Sequence, residues 1–179
     1  MSVVINGSAG VTTNSGAVYN GIASGTAVAS TSGTSIDFTS IPSWVKRITV
    51  MFNGVSTNGT SIVQVQIGSG SVSTSGYASN ASFSAATTSQ YAYASTGFII
   101  EPALGAAATS VRSGVCQLSL IGSNTWVNCG NIGSGSTVLI TSASAGNSPA
   151  LGGTLDRVRI TTVNGTDTFD AGSINILYE

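Results

Sequence analysis

The sequence predicts an all-β fold: an antiparallel β-sandwich or jelly roll built from short hairpins, with an extended N-terminal arm. Three observations carry that expectation. Leu, Glu, Lys, Gln and Arg are scarce, while β-branched residues and glycine abound. Apolar and polar residues alternate with a period of two in several short segments. Asn-Gly and Gly-Ser pairs fall between those segments, where tight turns need them. At 179 residues the chain has room for one domain with a short arm, not for two full cores.

Residues 1–34 are rich in Gly, Ser, Thr and Ala, with short strand-like pieces at 3–5, 17–19 and 26–29. They read as an arm or an early strand pair, ahead of a sandwich domain at 35–179. In 45–52, Ile48, Val50 and Phe52 share one face, and Val63, Val65 and Ile67 repeat the pattern. A two-residue turn at Asn58-Gly59 sets Phe52 opposite Val65 and Val50 opposite Ile67, so a hairpin is expected there. Residues 68–97 form a long uncharged stretch containing Tyr77, Phe83, Tyr91 and Tyr93. A structureless loop of that length in a compact domain is expected only where it is functional or ordered by a neighbour. The Ala-rich piece 101–109 allows one helical turn.

A second hairpin is expected at Gly122-Ser123, a type II′ turn that pairs Leu118 with Val127 and Cys116 with Cys129. The two cysteines then form either a disulfide or two small core thiols. A third hairpin turns at Asn164-Gly165, with Ile160 opposite Phe169, Val158 opposite Ala171 and an ion pair between Arg159 and Asp170. Beyond it the alternation restarts in Ile174, Ile176 and Tyr178 with opposite parity, which marks Gly172 as a bulge.

Charged residues make up 6% of the chain, against about 25% in an average domain. With five Lys and Arg and a net charge of −1, no phosphate-neutralising patch is expected, and nucleic acid is not an expected partner. No stretch approaches the ~20 apolar residues of a spanning helix, and aromatics are too few for the girdles of a membrane barrel. No secretory signal is expected from the first residues.

The chain contains no histidine, which removes Ser-His and Cys-His nucleophiles. Asp37, Glu101, Asp156, Asp167, Asp170 and Glu179 form no calcium loop, and no metal, cofactor or catalytic residue is expected. A two-carboxylate glycosidase is the one enzyme class that these residues leave open. The aromatics Tyr77, Phe83, Tyr91 and Tyr93, set among Asn, Ser and Thr, are the candidate receptor-binding residues. Tyrosine rings stack on sugar faces and order at low entropic cost. Trp44 and Trp126 read either as core plugs or as further stacking rings.

The run Ser35-Ile36-Asp37-Phe38-Thr39-Ser40-Ile41-Pro42-Ser43-Trp44-Val45-Lys46-Arg47-Ile48-Thr49-Val50 resembles a segment of tail-fibre and related virion proteins of tailed bacteriophages. Leu155-Asp156-Arg157-Val158-Arg159-Ile160 and Ile174-Asn175-Ile176-Leu177-Tyr178 are similar to the closing strands of the same proteins. Together these segments cover about a third of the chain. The resemblance implies a trimeric surface protein of the virion, assembled in the host cytoplasm with other virion proteins. Its loops are expected to contact a host glycan or protein. Because the chain lacks a repetitive shaft, a capsid decoration or head-fibre role is the alternative, and a polysaccharide depolymerase the second alternative. No catalytic residue carries over.

Overall fold

Alternation writes itself directly into the backbone of a computed structural model. It describes residues 3–6, 10–13, 18–19, 21–84, 88–135 and 140–179, with side chains from residue 21 onward. The strands are β1 (Val3–Asn6), β2 (Gly10–Thr13), β3 (Val18–Tyr19), β4 (Ala23–Ser24), β5 (Val28–Ala29), β6 (Ser35–Thr39), β7 (Arg47–Thr57) and β8 (Val63–Ser69). They continue with β9 (Ser71–Val72), β10 (Ala78–Ser84), β11 (Ser89–Ala94), β12 (Phe98–Ile99), β13 (Val111–Gly122), β14 (Thr125–Gly135), β15 (Ile140–Asn147), β16 (Arg157–Thr162) and β17 (Phe169–Tyr178). A single 3-10 turn, Ala103–Ala106, is the helical piece in the Ala-rich segment.

A large sheet runs β11-β10-β15-β14-β13-β7-β17-β4, with β5 also on β17, and a smaller one runs β12-β8-β16-β6, with β9 on β8. All these pairings are antiparallel. The two sheets form a β-sandwich whose core joins Ile48, Val50, Phe52, Leu118 and Ile174 of the large sheet to Ile36, Phe38, Val65, Ile67 and Ile160 of the small one. In the N-terminal segment β2 pairs with both β1 and β3, while β4 and β5 add to β17.

Two expected hairpins are arches that cross between the sheets. β7 pairs with β13 and β17, whereas β8 pairs with β12, β16 and β9, so Phe52 lies beside Ile174 and Val65 beside Ile160. Likewise β16 and β17 lie in different sheets; Arg159 pairs with Asp37, and Asp170 accepts a hydrogen bond from Ser56. The apolar faces match in either arrangement, because alternation fixes which face is buried and not whether the partner lies alongside or opposite. The two arches are tied together. Thr168 N donates to Asn58 Oδ1 at 2.8 Å, Ser61 N to Asp167 Oδ2 at 2.9 Å, and Asn164 N to Ser61 Oγ at 3.0 Å.

The β13–β14 hairpin forms, but with its turn one residue later. Ser123 and Asn124 occupy the corner with φ of 48° and 57°, pairing Gly122 with Thr125. Asn tolerates this left-handed geometry because its side chain bonds locally. The shifted register sets Cys116 beside Gly130 and Cys129 beside Gln117, so the cysteines lie on opposite faces. Both are free thiols, Cys116 buried and Cys129 exposed, which corrects the disulfide alternative. Gly172 does sit in a bulge, with φ +88°, where a Cβ would collide with the Gly54 carbonyl oxygen of β7.

Candidate functional site

The stretch 68–97 is largely strand, and the hairpin of β10 and β11 forms one end of the large sheet. Its four aromatics divide between the two faces of that sheet. Tyr77 is buried at 4% exposure. Its hydroxyl accepts from Ile67 N at 2.9 Å, and its ring meets Phe98 edge-on at 5.0 Å between centroids. Burial pushes the Tyr77 hydroxyl up to about 12, against the lowering effect of its hydrogen bonds. Phe83 is buried too, on the inward face of β10. Both rings are packed inward, and of the four only Tyr91 and Tyr93 are presented to solvent.

Tyr91 and Tyr93 are 81% and 83% exposed, two residues apart on β11 and therefore on one face. Register extends that face across the sheet. One row runs Tyr93, Asn80, Ala145, Cys129, Gln117, Thr49. The next runs Tyr91, Ser82, Ala143, Asn131, Val115, Met51. Neither row contains a charge. Because Ala143, Ala145 and Ser82 are short, the tyrosine rings stand above their neighbours. An open hollow of about 700 Å³ lies beside Tyr93, Asn80 and Asn147, and another of about 490 Å³ beside Tyr91, Ser82 and Asn131. Rings that rise from such a surface can stack on a sugar or aliphatic face, while amides and hydroxyls at their feet exchange hydrogen bonds.

The charges lie elsewhere. Arg159 holds Asp37 at 2.7 Å and Arg157 holds Asp156 at 2.7 Å, on the small sheet and its approach. Hydrogen bonding from Arg157 keeps the Asp156 carboxyl below the usual range, and that from Asn164 does the same for Asp167. Arg47 pairs with Glu179 at one end of β7. Trp126 is a core residue at 2% exposure, while Trp44, 40% exposed, leans on Tyr178 with ring centroids 5.9 Å apart.

Sequence reasoning missed the pair of Glu101 and Arg112, both fully buried and hydrogen-bonded beneath the 3-10 turn. Desolvation raises the Glu101 carboxyl to about 7 in spite of Arg112. Among the described residues no group of three or more His, Cys, Asp or Glu gathers to hold a metal ion. Among them, too, no helix is long and apolar enough to cross a membrane. Comparison with protein-family models, curated proteins and solved structures finds no match.

Proposed function

We propose that this chain is a structural protein of a bacteriophage virion, a tail-fibre or receptor-binding protein that attaches the particle to its host. The observation that carries the reading is the pair Tyr91 and Tyr93, standing side by side on a sheet face whose two adjoining rows carry no charge. Such a face suits contact with a host glycan or protein. The resemblance of segments 35–50, 155–160 and 174–178 to virion β-domains supports the placement in a phage particle. In this reading the chain works by contact and not by catalysis. It assembles in the host cytoplasm as a homotrimer alongside other virion proteins, and its charge-poor surface avoids the cost of burying ions between subunits.

The test is binding of labelled protein to intact host cells, combined with its mass by light scattering. Attachment of a trimer to cells, with blocked phage adsorption, supports the proposal. Attachment to bare capsids without attachment to cells replaces it with capsid decoration. Degradation of the host polysaccharide that stops when single carboxylates are removed replaces it with a depolymerase.

A further inference from the structure

The outer face of the small sheet carries a polar groove that the tyrosine surface does not use. Alternation turns Val63, Val65 and Ile67 of β8 into the core, and Gln64 and Gln66 away from it. Yet Gln64 is only 2% exposed and Gln66 5%. The segment at Thr96 and Gly97 lies directly on them, leaving so little room that a Cβ on Gly97 would stand 2.8 Å from Gln64 Oε1. Thr96 Oγ1 donates to Gln64 Oε1 at 2.8 Å, and Gln66 Nε2 donates to the Thr96 carbonyl at 2.8 Å. Both amide planes are thereby fixed.

Register places Arg159 beside Gln66 and Thr161 beside Gln64, with Asp37 and Ser35 next across the sheet. Gln64, Gln66, Arg159, Thr161 and Ser35 line a groove of about 320 Å³, with Thr74 at its rim. That volume is at the lower end of the ~300–1,000 Å³ range that holds small ligands. Arg159 directs Nε and Nη2 at Asp37, 2.7 and 3.2 Å away, so the charged pair is internally neutral.

We propose that this groove binds one unit of an uncharged sugar. Fixed amides, hydroxyls and a neutralised guanidinium offer donors and acceptors interleaved at the spacing of neighbouring strands, the pattern that a ring of hydroxyls satisfies. Because Asp37 already pairs the Arg159 guanidinium, a carboxylate or phosphate entering the groove finds no unpaired cation, and a cation would face Arg159. No aromatic ring lines the groove, so an apolar ligand gains little there. The fixed amides of Gln64 and Gln66 favour a ligand that carries hydroxyls and disfavour one that lacks them.

The groove lies on the opposite sheet from Tyr91 and Tyr93, which makes the two surfaces separable by experiment. The full chain is titrated with methyl glucoside, methyl galactoside, N-acetylglucosamine and glucuronate while backbone amide resonances are followed by NMR. The expected result is saturable shifts at residues 64–67, 96 and 159–161 with at least one neutral sugar, and at least tenfold weaker binding of glucuronate. Gln66→Ala should weaken the neutral sugar tenfold or more, and so should Thr74→Trp, which blocks the rim without touching the floor. Tyr91→Ala/Tyr93→Ala should leave the affinity unchanged. Absence of saturable shifts with all three neutral sugars overturns the proposal. So do shifts confined to residues 80 and 91–93, or an affinity that survives Thr74→Trp in a folded variant. Host-cell attachment is read separately, so either result can fail alone.

Discussion

Glu101 and Arg112 are the residues whose environment departs furthest from that of a surface charge. Burial raises the Glu101 carboxyl to about 7 from 4.5, so the folded chain holds that proton more tightly than the unfolded chain does. The contribution is fully present below about pH 4.5 and is lost as pH rises through about 7. The urea midpoint is therefore expected to be higher at pH 5 than at pH 8. Arg112→Met leaves a buried carboxylate without its partner, and should cost about 3–5 kcal/mol at pH 8. The cost should shrink at pH 5, where the carboxyl is neutral. An equal cost at both pH values would remove Glu101 as the cause. The cysteines give a second residue-scale expectation. A thiol reagent should modify Cys129 in the native protein and reach Cys116 only on unfolding. Cys116 is buried, and desolvation holds its thiol at about 12. Modification of both at equal rates would contradict the one-residue register of β13 on β14.

At the scale of elements, strand identity was readable wherever the two faces contrast, as in Ile48-Thr49-Val50-Met51-Phe52 or Val63-Gln64-Val65. It was not readable in Ala78-Ser79-Asn80-Ala81-Ser82-Phe83-Ser84, where small residues occupy both faces. That low contrast concealed the burial of Phe83. Partner choice was hidden for a different reason: an Asn-Gly corner serves an arch as well as a hairpin. Gly165 has the positive φ expected of such a corner, +69°, yet its strands part to different sheets. The exposed pair Tyr91 and Tyr93 could be named from composition, but Tyr77 carries the same ring and differs only in where register and β12 place it. Gly172 was readable from the change in parity after Ala171. Its bulge leaves no room for a side chain against Gly54, so Gly172→Ala should lower stability by roughly 1–3 kcal/mol in thermal unfolding. An unchanged melting temperature would mean that β7 and β17 can separate there at no cost.

For the molecule as a whole, the tyrosine face and the core are independent. Tyr91→Ala/Tyr93→Ala removes two exposed rings and no core contact, so the melting temperature should stay within experimental error while host-cell binding falls at least tenfold. Because neither row of that face carries a charge, attachment through it should change little between low and physiological salt. A steep loss of binding with added salt would point to charged groups outside those two rows.

The order of strands across the sheets also bears on how the chain is made. β7 lies between β13 and β17, and β16 between β6 and β8, so segments early in the chain find their neighbours more than a hundred residues later. A ribosome delivers Ile48 long before Tyr178, its partner, has been synthesised. Until then β7 and β8 present bare apolar faces, and closing such distant pairs is slow. Scarce charge gives the nascent chain little self-repulsion, so a helper that shields these strands during translation should raise soluble yield more than slower synthesis alone.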